Sequence, residues 1–221
     1  MASPREPVCV ALVNDYDVVV VGLAKLLDPY ASRVIVAELD TNQPVLDDVD
    51  VVLYDTFAQP EADHGDLDVL VTNPQADHVA VYTWNFHPVL IETALGKGAH
   101  GYLSKTLPAR GLVEAIEAIA DGDVVVSEPP PRSRPAPGLD WPGRGEGLTD
   151  REAEVMALIA QGKSNIEIAA LMFLSTNTVK TYIRNAYRKI GVTTRRHAIV
   201  WGIQHGLTPD HHRIEHWRGG P

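Results

Sequence analysis

The sequence predicts an α/β unit, a five-stranded doubly wound parallel sheet, followed by a small all-α unit of four helices. Three observations predict it. Residues 7–126 alternate short, β-branched, non-alternating apolar runs with helical patterns, as strands buried on both faces do. Residues 127–147 (SEPPPRSRPAPGLDWPGRGEG) hold six prolines and four glycines and can support neither a helix nor a central strand. Residues 148–207 then carry helix-start and helix-stop signals at short intervals.

The expected strands are Val8 to Val13, Val34 to Leu39, Val51 to Tyr54, Val79 to Tyr82 and Gly101 to Leu103. Between them lie expected helices over Val18 to Leu27, a short one near Val45, Asp66 to Val71, Val89 to Lys97 and Pro108 to Ala120. In the last, Leu112, Ile116 and Ile119 recur at helical spacing behind a helix-starting proline. The Pro/Gly stretch reads as a linker over 127–147, extended in its proline half and pliant in its glycine half. In the helical unit, Thr149-Asp150-Arg151-Glu152 and Ser164-Asn165-Ile166-Glu167 are capping boxes. Gly162 stops the first helix, and Ser175 caps a third that runs from Thr176 to Gly191. A fourth spans Arg195 to Gly206. Residues 208–221 read as a flexible tail in which His211, His212 and His216 are solvated.

Composition narrows the function. The chain has 221 residues, 45% hydrophobic and 22% charged, enough for one large or two small cores. Its apolar runs are too short for a membrane span, and a lone cysteine, Cys9, suits a reducing, cytoplasmic setting. Charge divides it sharply. Residues 1–128 hold 6 Lys and Arg against 21 Asp and Glu, and residues 129–221 hold 13 against 8. The first part would repel a polyanion and suits a cation or a basic partner; the second can meet phosphates. Six cations and no acid stand between Leu171 and Gly206: Lys180, Arg184, Arg188, Lys189, Arg195 and Arg196.

In a parallel doubly wound sheet, sites form at the carboxyl ends of the strands. Those ends carry Asn14 and Asp15, Asp55, Thr83 and Lys105. Two or three oxygen ligands, a hydroxyl and an ammonium on one edge fit phosphoryl transfer to a carboxylate, with Asp55 as the nucleophile. In order, spacing and residue type this set resembles the receiver domain of bacterial response regulators, a flavodoxin-like fold. The resemblance implies that Asp55 accepts phosphate, that Asp15 and Asp55 carry Mg²⁺ with Asn14 beside them, and that Thr83 and Lys105 contact the phosphoryl group. It also implies that Tyr102 is the aromatic that moves on activation. The family usually has two acids where Asn14 and Asp15 stand, so Mg²⁺ affinity is expected to fall. It also has a small residue where Trp84 follows Thr83.

The third helix of the second unit separates its faces. Val179, Ile183, Ala186 and Ile190 form one stripe; Asn177, Lys180, Thr181, Arg184 and Arg188 form the other. A short helix, a tight turn and a second helix with a basic outer face is the helix-turn-helix arrangement, whose second helix enters the major groove. Arg184 is suited to guanine O6 and N7, Lys180 and Arg188 to phosphate, and Thr181 to a thymine methyl. The run LTDREAEVMALIAQGKSNIEIAALMFLSTNTVKTYIRNAYRKIGV is similar to the LuxR-type helix-turn-helix. The resemblance implies groove contacts at Lys180, Thr181 and Arg184, a dimer contact on the last helix, and little consequence of Tyr182 where histidine is common.

Together the two units resemble a NarL-type response regulator. Its expected partners are double-stranded promoter DNA, a sensor histidine kinase and a second copy of the chain, with no membrane and no separate catalytic site. A second reading keeps the first unit as a phosphate-independent dimerisation or ligand-sensing platform. The opposite charges further suggest an off-state contact in which the basic helix rests on the acidic unit.

Overall fold

A computed structural model describes residues 6–14, 16–40, 45–55, 66–128 and 141–208. The first unit is a parallel sheet of order β2-β1-β3-β4-β5-β6, built from β1 Val8–Val13, β2 Val34–Asp40, β3 Val49–Asp55, β4 Ala76–Thr83, β5 Gly101–Ser104 and β6 Val125–Val126. Helices α1 Asp17–Leu27, α2 Asp66–Val71, α3 Pro88–Gly96 and α4 Ala109–Ala120 cover its two faces. The β-branched runs of β1 and β3 are buried along nearly their whole length, which is why they read as continuous apolar segments. Leu112, Val113, Ile116 and Ile119 of α4 seal one face. Gly101 allows that seal, since a Cβ there would lie 2.5 Å from Ile119 Cδ1 and 2.6 Å from Ala80 Cβ.

Four details differ from the sequence reading. The sheet has six strands, the sixth a two-residue strand paired with β5. The short helix near Val45 is absent from the described residues there, 45–48. The Leu46 and Asp47 amides donate to the Glu38 carboxylate at 2.9–3.1 Å instead of to a helical carbonyl. Cys9, whose place in the apolar run VCVALV implies core packing, is only half-buried. Finally, the Pro/Gly stretch does not stay a linker to its end. Trp141 is 8% exposed, donates from Nε1 to the Leu148 carbonyl at 3.0 Å and carries the Arg144 guanidinium over its ring, so turns over 141–147 pack onto the helical unit.

That unit holds α5 Asp150–Ala160, α6 Asn165–Leu171, α7 Thr176–Ile190 and α8 Arg195–Gln204. Both capping boxes form, through Thr149 with Glu152 and Ser164 with Glu167. Hydrogen bonds from the Ser164 hydroxyl and backbone hold the Glu167 carboxyl below its ordinary range. Ser175 accepts from the Thr178 amide, and Gly191 closes α7 at φ 71°. Val155, Met156, Leu158 and Ile159 of α5 form the centre of the core, with Ile168, Val179 and Ala198 against them. Tyr182 is partly buried against that core. The His-rich tail and the rest of the linker lie outside the described residues.

The turn from α6 to α7 has one unusual residue. The Leu174 amide bonds the Ala169 carbonyl and the Phe173 amide bonds the Ala170 carbonyl, the Schellman pattern that ends a helix. The position that needs a left-handed backbone is ordinarily glycine; here it is Phe173, at φ 52°, the one non-glycine residue with positive φ among the described residues.

Candidate functional site

The reversal of strand order falls between β1 and β3, and Asp55 ends β3 at that crevice. Asp55 is 2% exposed, and its Oδ1 accepts from Lys105 Nζ at 2.5 Å. Lys105 directly follows β5 and is 3% exposed, so the pair is a desolvated ion pair in which each charge needs the other. Asn14 completes the cluster from the end of β1. Its Nδ2 donates to the Asp55 carbonyl at 2.5 Å and to Oδ1 at 3.3 Å. The amide orientation is set by the Tyr16 backbone N–H, a donor that bonds Asn14 Oδ1 at 2.9 Å and so turns the nitrogen toward Asp55.

Thr83 ends β4, one residue beyond the Asp55–Tyr82 register pair, and is fully buried. Its carbonyl accepts from the Lys105 amide and its hydroxyl from the Asn85 amide at 3.1 Å. Tyr102 is fully buried on β5, with its ring edge-on to Phe86, and its hydroxyl donates to the Asn85 carbonyl at 2.6 Å. Asp15 lies outside the described residues. The structure therefore brings Asn14, Asp55, Thr83 and Lys105 to one edge and ties Tyr102 to it through Asn85.

Sequence reasoning missed three residues here. Tyr82 lies with its ring centroid 5.9 Å from Lys105 Nζ, and its hydroxyl is buried without a partner among the described residues. Burial, and then the nearby Asp55 charge, hold that phenol protonated far above its ordinary range. Asn85 and Tyr16 form the rim. Asn85 had a legible signal, because Thr-Trp-Asn after an apolar run is the composition of a hydroxyl-closed turn followed by an Asx turn.

As a cation site, the described residues offer one carboxylate, Asp55. Asn14 presents its nitrogen, so a divalent ion fits only with Asp15 as the second anionic ligand.

The outer face of α7 is open. Asn177, Lys180, Thr181, Arg184 and Arg188 are all exposed, whereas Val179 and Ala186 are buried. Two of the other cations, Lys189 and Arg195, have internal duties. Lys189 Nζ bonds the buried Glu152 carboxylate at 2.5 Å, and Arg195 donates to the Lys163 carbonyl and to Asn165 Oδ1. On α8, Val200 and Ile203 are exposed apolar residues.

The two units touch through neutral groups among the described residues. Gln161 Nε2 donates to Tyr16 Oη at 3.1 Å, Asn85 Nδ2 donates to the Met172 carbonyl at 3.1 Å, and the His87 and Phe173 rings lie 5.2 Å apart. The expected contact through the basic helix is thus replaced by one through amides, a carbonyl and aromatic rings. The cationic face of α7 stays in solvent, where its hydration is kept.

A doubly wound sheet with a lysine-paired carboxylate at its crevice, joined to a helix-turn-helix with an open cationic face, defines a DNA-binding regulator with a receiver-like unit. Residues 146–202 match the family described as bacterial regulatory proteins, luxR family. The nitrate/nitrite response regulator NarP of Escherichia coli K12 is 31% identical over 206 residues, 90% of this chain and 95% of that protein. NarL of the same organism is 27% identical over 208 residues, 90% of this chain and 96% of that protein. Among solved structures, the response regulator ChrA of a heme-sensing two-component system is 29% identical and covers 92% of this chain and 100% of that one, with a TM-score of 0.44. The chain belongs to the NarL-type two-component response regulators, DNA-binding transcription regulators with a LuxR-type helix-turn-helix. No helix among the described residues is long and apolar enough to cross a membrane.

Proposed function

We propose that this chain acts in the cytoplasm, that its Asp55 accepts a phosphoryl group from a sensor histidine kinase, and that this modification controls dimerisation and promoter binding. The observation that carries the reading is the Asp55–Lys105 pair at the crevice of the sheet, 2.5 Å long and almost fully buried. A carboxylate oxygen of Asp55 attacks phosphorus, the phosphorus–nitrogen bond of the donor phosphohistidine breaks, and its electron pair returns to the imidazole. Lys105 and the Thr83 hydroxyl hold phosphoryl oxygens in the product. Mg²⁺ would be held by Asp15 and Asp55 and supplies charge neutralisation when bound. Asn14 would join only by turning its amide, which costs its bond from Tyr16, so the ion binds weakly.

The output lies on α7. Arg184 reads guanine through its two-pronged guanidinium, a contact of about 1–3 kcal/mol of discrimination. Lys180 and Arg188 contact phosphates, and Asn177 adds a polar contact near the helix start. The Thr181 hydroxyl bonds the Asn177 carbonyl at 3.0 Å within the helix, which supports a thymine-methyl contact for its remaining surface. Two copies joined through α8, where Val200 and Ile203 are exposed, would place two such helices on half-sites a helical turn or a multiple apart. Residues 7–126 and 141–207 are the two working units.

Incubation with Mg²⁺ and acetyl phosphate, read by intact mass, tests the acceptor. The wild type gains one phosphoryl group and Asp55→Ala gains none; a gain in both rejects Asp55. A second reading, a phosphate-independent platform, is favoured by one observation: Asn14 and Lys105 both bond Asp55 Oδ1. A small molecule retained in native mass spectra, with no phosphoryl gain, supports that reading.

A further inference from the structure

The rim of the acceptor edge is fastened to the helix-turn-helix unit at two points on opposite sides of the crevice. On the β1 side, Tyr16, two residues beyond Asn14, accepts from Gln161 at the end of α5. On the β4 side, Asn85, two residues beyond Thr83, donates to Met172 at the end of α6. The ring of Phe173 adds the His87 contact from the strained turn. Trp84, at 9% exposure, belongs to one cluster of buried apolar residues that continues into the core of the helical unit. None of these contacts uses α7, whose outer face is exposed while the units are docked.

We propose that the DNA-binding unit is a lid on the acceptor edge, closed by Gln161, Met172 and Phe173, and that it limits phosphoryl entry to Asp55 rather than hiding the recognition helix. The inference rests on Asp55 being the phosphoacceptor. A donor must reach Asp55 from the carboxyl ends of the strands, and the rim there is occupied by α5 and the α6–α7 turn. Asn85 is the positioning residue that joins lid and site. Its amide N–H bonds Thr83, its carbonyl holds Tyr102, its Oδ1 accepts from the His87 amide, and its side-chain nitrogen holds Met172. Any shift of Thr83 toward a phosphoryl oxygen therefore moves the Met172 latch. Phe173 fits this role physically, because its turn's own hydrogen bonds fix it at φ 52° and leave its half-exposed ring against His87.

The test uses the full chain carrying Gln161→Ala and Phe173→Gly. Glycine suits φ 52°, so the turn keeps its backbone, and Gln161→Ala removes the bond to Tyr16. Two readouts are taken: radius of gyration by small-angle scattering, and the rate of phosphoryl gain from acetyl phosphate with Mg²⁺, in which the acyl phosphate bond breaks and acetate leaves. The double variant is expected to be more extended and to gain phosphate roughly tenfold faster, the shift in the open fraction that one lost net hydrogen bond produces. Separation with an unchanged, measurable rate overturns the lid and leaves the acceptor reading intact. Unchanged dimensions overturn the latch residues. Separation with no gain in either protein rejects Asp55 as acceptor, and the lid with it.

Discussion

Replacing Lys180 with alanine should change how DNA affinity depends on salt, whereas replacing Lys189 or Arg195 should not. All three lie in the same basic stretch, but only Lys180 points into solvent on the outer face of α7. Each neutralised phosphate releases counterions and adds about 0.9 to the slope of log affinity against log salt. Across a fourfold rise in salt, losing one such contact narrows the drop in affinity by roughly 3.5-fold per bound protomer, and by roughly 12-fold for a dimer. Because this part of the affinity ignores sequence, anisotropy on any labelled duplex measures it without knowledge of the operator. Lys189→Ala should instead lower stability by about 1–2 kcal/mol, since it strips a donor from the buried Glu152 carboxylate. If Lys189→Ala or Arg195→Ala flattens the slope as much as Lys180→Ala does, the division of these cations between fold and DNA is wrong.

Three further outcomes are expected. Asn14→Asp replaces the donor facing Asp55 with a second charge, so its melting temperature should fall without Mg²⁺ and rise with added Mg²⁺ more than that of the wild type, by calorimetry. Gly101→Ala puts a methyl against Ile119 and Ala80 and should cost about 1–3 kcal/mol in urea unfolding. Burial, and then His78, hold the His100 imidazole below its ordinary value, so the unfolded chain binds more protons in mildly acidic solution. Stability attributable to His100 is therefore present above the unfolded value and lost as pH falls below about 6.5. His100→Gln should reduce the stability difference between neutral and pH 5.5 samples.

The residues that announce themselves are those whose work is local or falls on a fixed period. Thr149, Ser164 and Ser175 cap helices within three residues of themselves, and Asp55 ends an apolar run whose burial its composition reveals. Strand starts were harder to read. β3 and β4 open on Val49 and Ala76 but run next through Asp50 and through Asp77 and His78, so the continuous apolar runs begin after the strands do. Segment averages misled at Trp141, where prolines and glycines concealed an aromatic anchor. Asn85 and Met172 are 87 residues apart, and nothing periodic links them. The same holds for Gln161 and Tyr16, 145 apart. The edge around Asp55 was therefore legible, and the docking of the second unit against its rim was not.

The anchoring of Trp141 sets the leash between the units. With the helical unit beginning there, 12 residues separate it from Glu128. Stretched fully, they reach at most about 45 Å. An undocked helix-turn-helix thus remains at a local concentration in the millimolar range around its own receiver. Against that concentration, a latch of about 4 kcal/mol intrinsic strength would be half closed, and each further ~1.4 kcal/mol lowers the open fraction about tenfold. Two amide hydrogen bonds, a ring contact and the buried Trp84 ring hold the units docked beyond that midpoint.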